Sequence, residues 1–258
     1  MDDNPYRGPN SGDAIGLPKQ KKSQISTALK LLMGLGIIGI VICLLLPAVR
    51  TARPAALRAA CVNNLKQIAL ALQNYADTYH ALPPAYTTDA DGKPLHSWRT
   101  LILPFIEEQQ LYKSIDLTKP WDDDANAEAR KTSVYAYQCP SSAEQGNHTT
   151  YLAIVGPNNC FLSDEPRKLS DVTDGASQTL MVIEVDSEHA VPWMAPVDAD
   201  EQLVLDLGPK SKFTHDYGFN AAFVDGHVTF LSTDLSASQR RALMSIAGND
   251  KAVAEGAD

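Results

Sequence analysis

The sequence predicts an α+β protein in which one long N-terminal helix packs on an antiparallel β-sheet, with extra helices and loops between them. Three observations predict it. Leu31 to Val49 is an uncharged run of 19 residues. After it, apolar side chains recur at steps of three and four as far as Tyr79. Beyond Cys139 the pattern changes to short runs of β-branched and aromatic residues.

Residues 1–24 are rich in Asn, Pro, Gly, Lys and Ser and read as a disordered cytoplasmic tail. Residues 25–50 read as a transmembrane helix, because a bilayer's hydrocarbon core takes about 20 apolar residues as a helix. The run is also longer than the apolar core of an ordinary signal peptide. Residues 1–30 carry Arg7, Lys19, Lys21, Lys22 and Lys30 against Asp2, Asp3 and Asp13, a net of +2, and the remainder carries a net of −11. Basic residues ahead of the span place the N-terminus in the cytoplasm and the acidic domain outside, although Arg50, Arg53 and Arg58 follow closely. Pro47 and Pro54 predict kinks near the membrane exit.

Residues 51–248 form the extracytoplasmic domain. Leu57, Cys61, Leu65, Ile68, Leu72, Ala76 and Tyr79 line one helix face, and Asn63, Asn64, Lys66, Gln67, Gln73 and Asn74 fill the other. The helix ends before Pro83-Pro84. Asp89-Ala-Asp-Gly92 reads as a turn. Ser97 to Ile115 reads as a second amphipathic helix bent at Pro104, and Asn126 to Tyr135 as a short third one. Asp122-Asp123-Asp124 caps that helix. Thr150–Val155, Thr179–Val185, Phe219–Val224 and His227–Ser232 read as strands. The last two flank Asp225-Gly226, a pair suited to a two-residue type I′ hairpin. Ser236 caps a closing helix that ends at Gly248, and 249–258 is a disordered tail.

The acidic balance argues against nucleic acid, whose phosphates need a basic surface. Cys43 lies in the apolar run as a small hydrophobe. Cys61, Cys139 and Cys160 lie outside it, where an oxidising compartment permits at most one internal pair. CxxC spacing is absent, which argues against a zinc ribbon or dithiol redox motif, and no G-x-S-x-G elbow supports a serine hydrolase.

The chain resembles type IV pilins and pseudopilins, and within them the bacterial family of uncharacterised pilin-like proteins with a C-terminal H-x9-DG motif. The residues that carry this are Leu44-Leu-Leu-Pro-Ala-Val49, Cys61-Val-Asn-Asn-Leu-Lys-Gln-Ile68, Ala71-Leu-Gln-Asn-Tyr75 and Pro83-Pro84. Ser97-Trp-Arg99, Leu103-Pro-Phe-Ile-Glu107, Pro120-Trp-Asp122, Cys139-Pro-Ser141 and Asp174-Gly-Ala-Ser-Gln-Thr-Leu180 follow. Glu184, Val191-Pro-Trp193 and His215 with Asp225-Gly226 complete the set. The resemblance spans about residues 31–248. It implies a pilin-like fold, surface display and contact with cell-envelope proteins or pilin-like subunits, with no established reaction and no cofactor. Older family naming suggests extracytoplasmic solute or cation binding, the alternative function. Prepilins of this kind carry a cleavage site and a glutamate five residues into the mature helix. The corresponding stretch here, Thr27 to Gly34, has neither, which predicts an uncleaved, permanently anchored chain.

No catalytic residue is expected. His215, Asp225 and Gly226 form the family motif, with Asp225-Gly226 chosen for a left-handed backbone and His215 hydrogen-bonding that turn or a neighbouring strand. No metal is expected either; the candidates for one are Asp174, His215, Asp225 and His227, suited to zinc or calcium. Because Cys61 and Cys139 fall where the family's motifs carry cysteine, the resemblance implies a Cys61–Cys139 bridge, with Cys160 as rival partner. Trp98, Trp121 and Trp193 are read as packing groups.

Overall fold

The computed structural model describes residues 27–142, 146–215 and 217–248, apart from the side chains of residues 28 and 44–54. The expected tails at 1–24 and 249–258 lie outside the described residues. The chain divides into two compact units, Met1–Arg50 and Thr51–Asp258. Helix α1 spans Thr27–Tyr79 and includes both prolines. In the first unit Leu31, Leu32, Met33, Leu35, Ile37, Ile38, Ile40, Val41 and Ile42 are all exposed. Among the described residues no helix is long and apolar enough to cross a membrane, and side chains 44–49 of the expected span fall outside that description.

In the second unit α1 buries Cys61, Leu65, Ile68, Ala69, Leu72 and Ala76 and keeps Lys66 and Gln67 exposed. Its end coincides with His80, which is left-handed at φ 63°. Strands β1 (Tyr86–Thr88) and β2 (Pro94–Ser97) form a hairpin. Its turn is closed by the Asp89 carboxylate, which accepts from the amides of Asp91 (3.0 Å) and Lys93 (2.8 Å).

The expected helix over 97–115 is broken into α2 (Trp98–Leu101), a 3-10 turn (Leu103–Ile106) and α3 (Gln109–Ser114). Pro104 has no amide to donate, and Glu107 turns left-handed at φ 66°. Helix α4 (Ala127–Lys131) follows a 3-10 turn that Asp123 caps through the amide of Ala125.

Next come β3 (His148–Thr149), β4 (Tyr151–Ala153), β5 (Leu180–Glu184), β6 (Val191–Pro192) and α5 (Glu201–Asp206). Strands β7 (Gly218–Phe223) and β8 (Val228–Ser232) and helix α6 (Ala237–Met244) complete the unit. β3 pairs with β6, and the main sheet has the antiparallel order β4-β5-β7-β8. Ser236 and Gln239 close a capping box on α6, which stops at Met244 rather than Gly248.

Both faces of the main sheet are covered. Tyr151, Ala153, Val182 and Ala222 share a core with the buried stripe of α1. Leu152, Ile183, Phe219 and Leu231 share a second core with Val204 and Leu207, at and just beyond α5, and with Leu243 and Met244 of α6. Two-sided burial explains why β5 and β7 read as nearly continuous apolar runs rather than alternating ones.

The β7–β8 connection differs from the two-residue type I′ turn. The Gly226 amide donates to the Phe223 carbonyl (2.9 Å) and the Phe223 amide to the His227 carbonyl (3.0 Å), enclosing Val224-Asp225-Gly226. Only Gly226 of the three has a positive φ, 87°. This is a type I turn followed by a left-handed residue. The Asp225 carboxylate takes the His227 amide (3.0 Å) instead of driving its own backbone left-handed. The Gln73 amide donates to the Val224 carbonyl (3.0 Å), docking the hairpin tip on α1.

One buried ion pair ties the early helices to the sheet. Arg99 Nη1 meets Asp198 Oδ1 at 2.8 Å, and that oxygen also accepts from Trp98 Nε1 (3.0 Å) and the Ala153 amide (2.9 Å). Both side chains are almost wholly withdrawn from water. Removing one partner strands the other charge, at a cost of about 3–5 kcal/mol. Asp198→Ala is expected to lower unfolding free energy by about that amount in urea titration. A loss below about 1 kcal/mol, the size of an exposed pair, contradicts this reading.

Candidate functional site

The site forms where the buried stripe of α1 meets the sheet. The stripe carries Cys61 inward, and Cys61 is bonded to Cys139, with their Cα atoms 5.0 Å apart. One turn from the bridge, Asn64 donates to the carbonyls of Gln138 (2.6 Å) and Tyr135 (3.3 Å), fixing the segment that delivers Cys139. The Tyr151 hydroxyl donates to the Cys61 carbonyl (3.4 Å). Cys160 is a buried free thiol pushed up to about 12 by burial, and Cys43 is free and exposed.

The two-residue period of a strand turns Glu184 of β5 and Asn220 of β7 toward the α1 side, along with Val182 and Ala222. Glu184 Oε2 accepts from Asn220 Nδ2 (2.7 Å) and from the Asn220 amide (3.4 Å), while Oε1 has no hydrogen-bond partner among the described residues. Burial pushes the Glu184 carboxyl up to about 7, against the opposing pull of the Asn220 hydrogen bonds and the Arg58 charge. His215 is buried ahead of β7, its Nε2 3.7 Å from Cys139 Sγ and 3.6 Å from Glu184 Oε2. Between them Tyr217 adopts a left-handed φ of 66°, unusual for a bulky residue. Ligand atoms of Cys61, Cys139, Glu184 and His215 all lie within 4.8 Å of one another.

A cleft of about 810 Å³ adjoins this cluster, lined by Arg58, Val62, Asn63 and Lys66 of α1 and by Ser141, Thr214 and His215. The Arg58 guanidinium lies 4.8 Å from the centre of the Phe230 ring.

The residues singled out from sequence are distributed differently. His215 and Asp225 stand at opposite ends of β7, a strand about 20 Å long. Asp225 pairs instead with His227 Nδ1 (2.6 Å), whose ring stacks on Phe223. The Asp174 carboxylate accepts from the Gly248 amide (2.6 Å) at the end of the α6 segment. Asp174, His215, Asp225 and His227 therefore do not converge, and the cluster built around His215 draws on other residues. Trp98 and Trp193 are buried, the latter donating to the Thr132 carbonyl (2.9 Å), and Trp121 is half-buried.

Glu184 enters the sequence motifs without a role, and Asn220 belongs to none of them. A lone carboxylate inside Leu-Met-Val-Ile-Glu-Val is the signal that finds it, since an unpaired Glu is almost never buried. Chemically, a buried disulfide flanked by an imidazole and a carboxyl group permits thiol–disulfide exchange, proton transfer and, with the bond open, ligation of a soft cation.

The Glu184 shift has a pH consequence. Its folded-state value lies above the ordinary 4.5, so the folded chain holds the proton in between. The associated stability is full below about 4.5 and is lost as pH rises through about 7. His215, Arg58 and Tyr151 face this carboxyl and are unchanged in a Glu184→Gln variant. Asp198, pushed up to about 6 by burial, titrates in both proteins and cancels. Urea unfolding at several pH values is expected to show Glu184→Gln gaining on the parent between about 4.5 and 7. Parallel curves contradict the assignment.

The family model described as protein of unknown function (DUF1559) matches residues 50–203, taking in Cys61, Cys139 and Glu184 and stopping short of His215. No curated protein and no solved structure matches the chain. The family match covers more than half of the sequence: the chain belongs to the DUF1559 family of proteins of unknown function.

Proposed function

We propose that this is a membrane-anchored, pilin-like protein of the cell envelope with a structural or interaction role and no reaction of its own. The observation that carries the reading is the exposure of the apolar side chains from Leu31 to Ile42. At 100° per residue they point in every direction around the helix axis, so no single protein face covers them. Leaving them in water costs on the order of 10 kcal/mol, comparable to the whole stability of a domain. Lipid, or a bundle of similar helices within it, removes that cost. The uncharged continuation to Val49 gives the length of a span, and the lysines ahead of it favour a cytoplasmic N-terminus. The resemblance to H-x9-DG pilin-like proteins supports display of the Thr51–Asp258 unit outside the membrane.

A second reading, an extracytoplasmic solute- or cation-binding module, is favoured by one observation. The cleft beside His215 combines apolar walls with Arg58, Lys66 and Asn63, the mixture expected of a small-ligand site.

Membrane fractionation tests the first reading. The full chain is expected to float with lipid vesicles and resist alkaline carbonate extraction, and a form lacking residues 1–50 to remain in the supernatant. Recovery of the full chain as a soluble monomer without lipid or detergent overturns it.

A further inference from the structure

We propose that Cys61, Cys139, His215 and Glu184 form a thiol-gated zinc site, closed as a disulfide when oxidised and able to take Zn²⁺ once an external dithiol has opened the bond. The proposal does not depend on the membrane reading.

The geometry is close to what the ion requires. A tetrahedral Zn²⁺ with sulfur at ~2.3 Å and nitrogen or oxygen at ~2.0–2.2 Å sets its ligand atoms roughly 3.3–3.8 Å apart. The four donor atoms here already lie within 4.8 Å of one another, on four separate segments of the second unit. Apart from parting of the two sulfurs, only small side-chain adjustments are needed. The donor set is also selective. Two thiolates and an imidazole suit zinc, whereas calcium and magnesium take oxygen ligands. All four residues are buried, which favours a closed four-ligand site over one with an open water position.

A second observation points the same way. Glu184 Oε1 is buried without a hydrogen-bond partner among the described residues, an arrangement that costs about 1–3 kcal/mol. A cation chelated by both carboxylate oxygens supplies that partner while using Oε2, which lies 3.6 Å from His215 Nε2. Asn220 Nδ2, on the other carboxylate oxygen at 2.7 Å, orients the group as outer partners of metal ligands do. Access comes from the cleft, whose wall includes His215 and also Ser141, two residues beyond Cys139.

The chemistry balances. The dithiol attacks the Cys61–Cys139 bond, the S–S bond breaks, and the dithiol closes into its own disulfide. It gives up two electrons and two protons, leaving two cysteine thiols. Zn²⁺ then displaces both thiol protons to solvent, together with the Glu184 proton where one is held. The metal replaces the covalent bridge as the link between α1 and the sheet.

The test uses the full chain in detergent, with Co²⁺ and Zn²⁺ as probes and a dithiol as reductant, removed under anaerobic conditions before metal is added. Reduced protein is expected to bind one ion per chain, with thiolate-to-cobalt charge-transfer absorption that oxidised protein lacks. His215→Gln and Glu184→Gln are each expected to weaken binding at least about tenfold. Cys160→Ser is expected to leave it unchanged. Absence of the band from reduced parent protein overturns the proposal, and that measurement needs no variant to fold. An equal band in oxidised protein, its loss in Cys160→Ser, or its persistence unchanged in His215→Gln also overturns it. So does circular dichroism showing that the reduced chain unfolds even with zinc present.

Discussion

The bridge between Cys61 and Cys139 joins two points 78 residues apart in sequence, one on the buried stripe of α1 and one on the segment that leads into the sheet. Closing a loop of that length removes denatured-state entropy equivalent to about 4.5 kcal/mol in the chain-entropy model. Its structural effect reaches further than that figure. With this turn of α1 held against the sheet, Leu65, Ile68 and Leu72 follow into the same core at helical spacing. Asn64 then closes two further bonds onto the Cys139 segment. The pairing of β5 with β7 sets Glu184 beside Asn220, and the bridge brings Cys61 of α1 to the same cluster as His215.

The sheet spends apolar burial on both faces and admits a few polar groups at defined places. Arg99 and Asp198 neutralise each other between the early helices and β4. Arg240 is satisfied by the carbonyls of Val204, Thr233 and Leu235, lacing α5, α6 and the end of β8 together. These groups make all or most of their bonds and read as structural. The Glu184 cluster differs in its surroundings: like Asp198 Oδ2, Glu184 Oε1 finds no hydrogen bond among the described residues, but its carboxyl group stands beside a disulfide and an imidazole. Unbalanced buried polarity of this kind is more informative about function than any exposed motif in the chain.

Much of the architecture was legible because it rests on periodicity. The stripe from Leu57 to Tyr79 and the runs around Leu180, Phe219 and Val228 announce a helix and strands directly. What escaped reading depends on single backbone choices. Nothing in the periodicity of 97–115 reveals that Glu107 turns left-handed, and β1 and β2 are too short to show a pattern. Asp225-Gly226 suggested a two-residue turn, yet the aspartate spends its carboxylate on the His227 amide and only the glycine reverses. The motif's histidine and its Asp-Gly pair, read together in sequence, lie at opposite ends of one strand. The cluster around His215 could not be listed from sequence, because it depends on which face of β5 and β7 lies under α1.

The seating of α1 on the sheet and the cluster beside it rest on the Cys61–Cys139 bond, and peptide mapping under non-reducing conditions tests that bond most directly. Protein alkylated while folded and then digested is expected to yield a peptide pair joining Cys61 to Cys139, with Cys160 alkylated only after unfolding. Recovery of Cys61 or Cys139 as a free thiol, or of either joined to Cys160, contradicts it.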